Sequence, residues 1–331
     1  MRIVIVSDAW FPQVNGVVRT IDTVRGKLAA AGHELLVIGP DRFRTLPCPT
    51  YPEIRLALLP SRAVAAMLDG FAPDAVHIAT EGPLGMAARR HCLTRGWRFT
   101  TSFHTKFAEY LHARTRFPMS WTYEWMRRFH AASERIMVAT QSLETELAEH
   151  GFLRLARWTR GVDTDLFRPQ APALELPRPV FLYVGRVAVE KNIGAFLELA
   201  LDGSKLVVGG GPQLAQLKRR YPDVHFVGNQ AGEALARHYA AADVFVFPSR
   251  TDTFGLVLLE ALASGLPVAA YPVTGPRDVI DGAPVGCLND DLATAARGAL
   301  ALSRQACRDY ALNFTWDISA SQFLANLARV G

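Results

Sequence analysis

The stretch SRTDTFGLVLLEALASGLPV, residues 249–268, contains two carboxylates, Asp252 and Glu260, eight positions apart. A strand pattern precedes Asp252, a turn composition surrounds it, and an apolar run typical of a helix follows and closes at Gly265. Backbone N–H groups at Phe254–Val257 would favour an anion there, while the carboxylates accept hydrogen bonds from hydroxyl groups. The stretch predicts a ligand with phosphate and hydroxyl groups, although a helix cap and a surface residue would explain each carboxylate alone.

Two cations follow another strand pattern, in PVFLYVGRVAVEKNIGAFLELA at residues 179–200. Arg186 supplies a planar fork of donors and Lys191 a compact charge, a combination suited to a diphosphate that lacks a metal counter-ion. A surface ion pair with Glu190 would also explain these cations. Together with the two carboxylates, the set favours an anion-binding site.

A glycine-rich turn lies between these segments. In KLVVGGGPQLAQL, residues 205–217, a strand pattern is followed by Gly209 and Gly210 and then by a helix pattern. Glycines let a backbone approach a ligand closely, and a helix N-terminus favours anions. The run does not match the G-x-G-x-x-G dinucleotide pattern, so a plain tight turn stays open.

Short apolar runs alternate with amphipathic stretches along the chain, which predicts α/β units around parallel sheets. The pattern occurs twice, and residues 161–180, with four prolines and little periodicity, are predicted to link the two halves. Such sheets bind ligands at the carboxyl ends of their strands, so two doubly wound domains are predicted to face each other across a cleft. The predicted strands are Ile3–Ser7, Leu35–Ile38, Ala75–Ile78, Phe99–Phe103, Arg135–Ala139, Val180–Val184, Lys205–Val208, Val224–Val227, Val244–Phe247 and Val268–Tyr271.

Composition is that of a globular protein. Of the 331 residues, 50% are apolar and 20% are charged, and no stretch approaches the roughly 20 apolar residues of a membrane span. The chain opens on RIVIVSD without the pattern of an export leader. Its four cysteines lack C-x-x-C spacing, which argues against a disulfide framework or a zinc site. We therefore predict a cytoplasmic protein.

The net charge of +5 comes from the first half of the chain. Residues 1–165 hold 21 basic and 16 acidic side chains, whereas the rest hold 15 of each. Residues 86–135 carry ten basic against three acidic side chains, a local charge of +7. Such a segment is typical of attraction to an anionic membrane surface or to nucleic acid, or it is a solvated arginine-rich face. Because the motifs above point to a cleft ligand, nucleic acid is the least favoured partner.

Three further features carry weaker hypotheses. A stripe at helical spacing i, i+4, i+8 predicts a buried helix face, which we favour, or a membrane-facing patch; it is formed by Trp121, Trp125 and Phe129. The sequence DTD, Asp163 to Asp165, imitates a metal-binding motif but lies in the predicted linker, and we expect no metal. Histidines without metal-ligand spacing are predicted to be structural, namely His77, His91 and His130.

These motifs together resemble the family 4 retaining glycosyltransferases, which have the GT-B fold of two Rossmann-like domains. In the second domain, the family's E-x7-E motif is found here as Asp252 and Glu260, and its diphosphate-binding Arg and Lys as Arg186 and Lys191. Its glycine turn corresponds to Gly209 to Pro212, and its pre-linker segment to Gly161 to Pro169. In the first domain, FPQVNGVVRT has Gly16 at the family's glycine loop, and TSFHTKF has His104 at the histidine near the donor sugar. The likeness spans nearly the whole chain.

The resemblance implies metal-independent transfer of a sugar from a UDP- or GDP-linked donor to an acceptor hydroxyl, with retention of configuration and without a cofactor. It implies that Arg186 and Lys191 stabilise the diphosphate. It casts Asp252 as a clamp on sugar hydroxyls, His104 as a sugar-positioning group, and Glu260 as a ribose acceptor. The loop FVGNQAGE is predicted to contact the base. The predicted donor-binding residues are Gly16, Gly209, Gly210, Asn229, Thr253, Phe254, Gly255, Leu256, Val257 and Glu260.

One position departs from the family, because Asp252 stands where a glutamate is usual. SRTDTFG and YVGRVAVEKN resemble a subset with mannosyltransferases, sulfoquinovosyltransferases and diacylglycerol glycosyltransferases. We therefore expect a lipid acceptor such as diacylglycerol and a peripheral position on the inner face of the cytoplasmic membrane. A soluble saccharide or metabolite acceptor, or a nucleotide-sugar epimerase or hydrolase, are the alternatives. The predicted domains are residues 1–165 on the acceptor side, 166–312 for the nucleotide sugar, and 313–331 as a helix returning to the first domain.

Overall fold

The chain forms two compact units. The computed structural model describes residues 1–13, 15–48, 51–252, 254–280 and 282–331, without the side chains of residues 51–53, 110, 113 and 114. Unit 1 comprises Met1–Arg160 and Trp316–Gly331, and unit 2 comprises Gly161–Thr315. Unit 1 is therefore built from both ends of the chain, and unit 2 from its middle.

Unit 1 is organised around a parallel sheet. Its strands are β1 (Arg2–Val6), β2 (Glu34–Ile38), β3 (Thr45–Cys48), β4 (Tyr51–Ala57), β5 (Ala75–Ile78), β6 (Thr100–Phe103), β7 (Arg135–Val138) and β8 (Leu155–Arg157). Six form one parallel sheet in the order β2-β1-β5-β6-β7-β8, and β3 pairs antiparallel with β4. Residues 3–6 of β1 are all buried. Since successive side chains of a strand point to opposite faces, both faces of the sheet are covered.

Helices connect the strands of unit 1. They are α1 (Gly16–Ala30), α2 (Ser61–Phe71), α3 (Pro83–Arg95), α4 (Phe107–Thr115), α5 (Met119–His130) and α6 (Gln141–Glu149). The side chain of Asn15 accepts hydrogen bonds from the N–H groups of Val17 and Val18. The side chain of Thr140 likewise accepts from Leu143. These caps fix the starts of α1 and α6, because they satisfy N–H groups that have no partner within the helix.

Unit 2 repeats the architecture. Its strands are β9 (Val180–Val184), β10 (Ser204–Val208), β11 (His225–Gly228), β12 (Val244–Phe247), β13 (Val268–Ala270) and β14 (Gly286–Leu288). All pairs are parallel, in the order β11-β10-β9-β12-β13-β14. The helices are α7 (Ile193–Leu197), α8 (Leu214–Arg220), α9 (Gly232–Ala240), α10 (Leu256–Ala263), α11 (Thr274–Ile280), α12 (Leu292–Ala299) and α13 (Arg304–Ala311). The strand order reverses between β9 and β12, which creates the switch point where α/β sheets bind ligands.

The doubly wound α/β architecture predicted from the sequence is confirmed in both units. Each of the ten predicted strands lies within one residue of an observed strand at both ends. The pattern does not predict β3, β4, β8 or β14. The last two are edge strands of three residues each, too short to carry a recognisable apolar run.

The predicted linker, residues 161–180, belongs to unit 2 instead. Phe167 is buried and packs edge to face on Tyr239, with ring centroids 5.6 Å apart. Arg308 of α13 donates hydrogen bonds to the carbonyl oxygens of Thr164 and Phe167 at 2.9 and 2.6 Å. The sequence hides this packing because it uses one aromatic side chain and main-chain carbonyls, neither of which produces periodicity.

Helix α14 (Trp316–Asn326) completes the core of unit 1. The Phe323 ring lies 4.9 Å from the His77 ring and 4.8 Å from the Trp158 ring, measured between centroids. Trp158 Nε1 donates to Ser319 Oγ at 3.2 Å. The last residues of the chain thus cover side chains of the central sheet.

The aromatic stripe of α5 is only partly buried, so the favoured prediction was wrong for two of its three residues. Phe129 is buried, but Trp121 is 70% exposed and Trp125 is 41% exposed. The buried face of α5 instead includes Tyr123 and Met126. The stripe lies at the margin of that face, and both tryptophans reach the surface.

Substitution at Gly85 tests how closely the start of α3 packs on the loop that follows β5. A Cβ atom there would lie 1.9 Å from the Thr80 carbonyl oxygen, so Gly85→Ala has to displace the helix. We expect the free energy of unfolding to fall by about 1–3 kcal/mol in urea denaturation. Gly26→Ala in α1 is the control, because no atom lies within 4 Å of its Cβ position and alanine favours a helix. Equal effects of the two substitutions would contradict this packing.

Candidate functional site

Lys191 and Asp252 meet at the switch point of unit 2. The chain leaves β9 through a short 3₁₀ turn that ends at Lys191, and Asp252 lies in the segment after β12. Lys191 Nζ donates a hydrogen bond to Asp252 Oδ1, and both side chains are largely buried. Asn192 Nδ2 donates to the carbonyl oxygen of Pro248 at 3.1 Å. These contacts tie together the segments that follow two neighbouring strands.

Asp252 offers a second oxygen at this point. Its Oδ2 atom is buried and has no hydrogen-bond partner among the described residues. A buried polar atom without a partner costs about 1–3 kcal/mol, so such atoms are rare unless a ligand satisfies them. Asp252 thus holds Lys191 with one oxygen and presents the other to a hydrogen-bond donor such as a sugar hydroxyl.

Arg186 lies on the same loop as Lys191. Its Nε atom is 3.8 Å from Glu190 Oε1, a long ion pair of the kind that the sequence left open. The hydroxyl of Tyr183 donates to the Arg186 carbonyl oxygen at 2.7 Å. Burial raises the pKa of Tyr183, so its hydroxyl keeps the proton that it donates. The backbone of Arg186 is fixed in this way, while its guanidinium stays partly exposed.

The glycine turn after β10 packs backbone to backbone on the loop after β9. A Cβ atom at Gly209 would lie 1.9 Å from the Gly185 carbonyl oxygen, and one at Gly211 would lie 2.4 Å from the Val187 carbonyl oxygen. The Val187 N–H donates to the Gly210 carbonyl oxygen at 2.8 Å. The glycines are therefore required by loop packing, in addition to any role in ligand binding.

Asn229, from the loop predicted to contact the base, lies beside this turn. A Cβ atom at Gly210 would lie 2.8 Å from both terminal atoms of the Asn229 amide. The N–H of Gly209 donates to the Gly228 carbonyl oxygen at 2.8 Å. Three predicted donor residues, two of them glycines, therefore come together at the carboxyl ends of β10 and β11.

Helix α10 begins where the opening motif predicts a helix. Its N-cap, Gly255, has a φ of +84°, a conformation that glycine adopts without strain. Phe254 is buried, and the first helical residues are Leu256 and Val257. Thr253 lies outside the described residues. Phe254–Val257 thus lie at the start of a helix, as the anion-binding hypothesis requires.

Glu260 is a buried residue of α10, so a plain surface position does not explain it. It is 2% exposed, and its Oε2 atom accepts a hydrogen bond from the Tyr239 hydroxyl at 2.8 Å. Tyr239 comes from α9, which the sequence does not connect with this motif. The predicted contact of Glu260 with a ribose stays a prediction.

In unit 1, the predicted residues follow β1 and β6. Gly16 is the first residue of α1, directly after the N-cap Asn15. His104 follows β6, and its Nε2 atom is 2.8 Å from Ser102 Oγ. Arg160 Nη2 donates to His104 Nδ1 at 3.2 Å. The contacts at both ring nitrogens fix the orientation of the imidazole.

The partner of His104 Nδ1 determines its tautomer. A guanidinium only donates hydrogen bonds, so Nδ1 must accept and the single ring proton must be on Nε2. Burial, then the charge of Arg160 and then His77, lower the pKa of His104 well below its ordinary value. Burial also lowers the pKa of Arg160, to about 9, which leaves it charged at neutral pH. His104 is therefore a neutral group with a defined proton position.

Sequence reasoning missed two residues that hold these groups, Arg160 beside His104 and Tyr239 beside Glu260. Neither carries a signal in the sequence, because their partners lie 56 and 21 positions away.

Removal of the Arg160 guanidinium should change the protonation of His104. In Arg160→Met the positive charge that repels a second ring proton is gone, so we expect the pKa of His104 to rise. In the wild type the pKa lies well below the ordinary 6.5, so the ring is still neutral at pH 6.5. The measurement is a ¹⁵N NMR titration of the imidazole, assigned with His104→Gln. Arg157→Met, which removes a nearby arginine without contact to His104, is the control. A wild-type ring with its proton on Nδ1 would disprove the arrangement.

Comparison with known proteins adds independent findings. A family model described as "Glycosyltransferase Family 4" matches residues 14–166. A second model, described as "Glycosyl transferases group 1", matches residues 178–305. The two matches correspond closely to unit 1 and unit 2.

Similar proteins cover the chain along its length. A GDP-mannose-dependent alpha-mannosyltransferase of Mycolicibacterium smegmatis is 32% identical over 100% of this chain and 98% of its own. An alpha-monoglucosyldiacylglycerol synthase of Streptococcus pneumoniae is 25% identical over 98% of this chain and 83% of its own. Among solved structures, sucrose-phosphate synthase of Thermosynechococcus elongatus aligns with a TM-score of 0.75 at 20% identity, covering 98% of this chain and 97% of its own.

Proposed function

This chain belongs to the family 4 glycosyltransferases and has their GT-B fold, and from that premise we propose that it transfers a sugar, with retention of configuration and without a metal ion, to a membrane lipid such as diacylglycerol. The donor is a nucleotide-diphosphate sugar, as the family membership implies. Retention, metal independence and the lipid acceptor are the parts that we propose.

The observation that carries the donor side is the Lys191–Asp252 pair at the switch point. Lys191 and Arg186 supply two positive charges on the loop after β9, where they can neutralise the diphosphate as it leaves. The free oxygen of Asp252 is suited to accept from a sugar hydroxyl. The α10 start adds backbone N–H groups for the phosphates. This arrangement supports a metal-independent reaction, because the protein itself provides the counter-charge.

The proposed reaction proceeds on one face of the donor sugar. The acceptor oxygen forms a bond to the anomeric carbon as the bond from that carbon to the diphosphate oxygen breaks. The proton of the acceptor hydroxyl passes to the departing diphosphate, so no protein nucleophile is needed. The neutral His104, with its fixed ring, would position the sugar during this exchange.

A surface patch on α4 and α5 supports a membrane-bound acceptor. Five apolar residues are exposed there, hereafter the α4–α5 patch: Phe107, Phe117, Met119, Trp121 and Trp125. Residues 106–130 carry five basic and two acidic side chains, which favours an anionic surface. No helix in the described ranges is long and apolar enough to cross a membrane. We therefore propose peripheral attachment through the patch, on the cytoplasmic face.

Radiolabel transfer tests the function directly. Purified protein is incubated with vesicles of diacylglycerol and anionic lipid and with a panel of labelled UDP- and GDP-sugars, followed by organic extraction. We expect one donor to place its label in the organic phase. Intact donor in every sample would point to a soluble acceptor, and free sugar without acceptor dependence would point to a hydrolase. NMR of the product's anomeric proton decides retention, and EDTA decides metal independence.

Lys191→Met should remove most of the transition-state stabilisation at the diphosphate. We expect kcat/KM for transfer to fall about 100- to 1,000-fold, as for other lost charge-stabilising donors. Lys218→Met is the control, since Lys218 is an exposed lysine of α8 in the same unit. An unchanged kcat/KM in Lys191→Met would refute the diphosphate role.

The Asp252→Asn variant distinguishes a role of Asp252 in sugar binding from a role in nucleotide binding. It should spare the affinity for free nucleoside diphosphate, measured by calorimetry, while it reduces transfer. An equal loss of affinity for the free nucleotide would remove Asp252 from the sugar pocket.

Substitution of the exposed tryptophans tests membrane attachment. We expect Trp121→Ser combined with Trp125→Ser to reduce sedimentation with anionic vesicles about tenfold or more, because two large apolar side chains no longer enter the lipid. Leu153→Ser, at a 73% exposed position outside the patch, is the control. Transfer to vesicle diacylglycerol that persists after binding is lost would contradict the role of the patch.

A further inference from the structure

Glu81 lies at the carboxyl edge of the unit 1 sheet, in the loop between β5 and α3. The next strand in the sheet, β6, leads into His104. The Glu81 side chain is 21% exposed, and among the described residues its one hydrogen-bond partner is His130. This loop is held from two sides by buried titratable groups that the reaction as proposed does not use.

Asp8 holds the loop from one side. It accepts hydrogen bonds from the Thr80 hydroxyl at 2.8 Å, from the Leu84 N–H at 2.9 Å and from the Gly85 N–H at 3.3 Å. A Cβ atom at Gly82 would lie 2.5 Å from the Asp8 carboxyl carbon. The pKa of Asp8 is raised overall, because the effect of burial outweighs that of these hydrogen bonds and the charge of Glu81 raises the pKa further. Asp8 thereby fixes residues on both sides of Glu81.

His130 holds the loop from the other side, and its proton positions follow from its neighbours. The Ser133 hydroxyl donates to the His130 carbonyl oxygen at 2.8 Å, because a carbonyl only accepts. Ser133 Oγ then accepts from the Thr101 hydroxyl at 3.1 Å. With its proton used, Thr101 Oγ1 accepts from His130 Nδ1 at 2.9 Å. His130 therefore carries a proton on Nδ1.

One more proton lies between His130 and Glu81. Nε2 of a neutral ring protonated on Nδ1 is an acceptor, and so is a carboxylate. The distance of 3.1 Å between Nε2 and Oε1 is that of a hydrogen bond, and two acceptors form one only when a proton lies between them. This shared proton and the one on Nδ1 give the pair two protons in total, whichever of the two atoms carries the shared one. Its net charge is zero.

We propose that Glu81 is the acceptor-binding carboxylate of unit 1, with His130 as its positioning residue. Oε1 is held by His130, and Oε2 accepts a hydrogen bond from a hydroxyl of the acceptor. The shared proton leaves the pair without net charge, so an anionic lipid is not repelled. A charged group held from both sides and partly open to solvent is typical of a preorganised binding site. This inference rests on the proposed glycosyl transfer.

A spectroscopic experiment tests the pair independently of activity. In the wild type, ¹⁵N NMR should find the Nδ1 proton of His130 and a further proton shared between Nε2 and Glu81. In Glu81→Gln the amide donates to Nε2, so the ring should keep only the Nδ1 proton. A wild-type pair without the shared proton would overturn this arrangement.

A kinetic experiment tests the acceptor role. We expect Glu81→Met, which leaves no oxygen for the acceptor hydroxyl, to lower kcat/KM for the lipid acceptor about 10- to 100-fold, the usual effect of a lost hydrogen bond to a charged group. Donor affinity should be unchanged. Glu34→Met, the same change at the opposite edge of the sheet, is the control. Unchanged acceptor kinetics, or an equal loss of donor affinity, would overturn the role of Glu81.

The two experiments also separate this inference from the proposed function. A wild type that transfers sugar to no acceptor refutes the proposed function, and with it the acceptor role of Glu81. Transfer in the wild type with normal acceptor kinetics in Glu81→Met refutes the Glu81 inference alone.

Discussion

The ion pair between Lys191 and Asp252 is the interaction on which the candidate site of unit 2 depends. It joins the segments that follow β9 and β12, the two strands between which the order of the unit 2 sheet reverses. Two largely buried charges lose hydration, so they are stable only as long as they stay together or a ligand replaces one partner. The glycine turn after β10 packs closely on the loop after β9 and so fixes the position of that loop. An anionic ligand would enter a site whose positive charge is already held in place.

Unit 1 organises its sheet edge differently. Its titratable groups are buried among hydroxyls and main-chain groups, so their hydrogen bonds define where the protons lie: His104 has one ring proton beside Arg160, and His130 shares a proton with Glu81. Such networks specify geometry, because a buried polar group without its partner is costly. Unit 2 presents charge to a ligand, whereas unit 1 presents hydrogen-bond acceptors and donors without net repulsion. This division suits a reaction between an anionic donor and a neutral hydroxyl.

Local pattern accounts for what the sequence predicted. Central strands such as β1 and β9 are continuous apolar runs, and the motif residues follow them directly, so both were predictable. Pairing across the fold was not, because Arg160 meets His104 from 56 positions away and His130 meets Glu81 from 49. Helical spacing predicted that Trp121 and Trp125 lie on one face of α5, but not whether that face is buried. The rotation of α5 about its axis depends on residues that are distant in the sequence. The packing of Phe167 on Tyr239 was not predictable for the same reason.

The return of α14 to unit 1 has a consequence for synthesis. Chain growth on the ribosome makes the whole of unit 2 before it makes the helix that covers Trp158 and His77 in unit 1. Domains tend to fold as they emerge, so the middle of the chain is free to fold before its beginning is complete. Until residues 316–331 emerge, the sheet of unit 1 exposes aromatic side chains, and the nascent chain passes through a stage in which chaperones have a surface to bind.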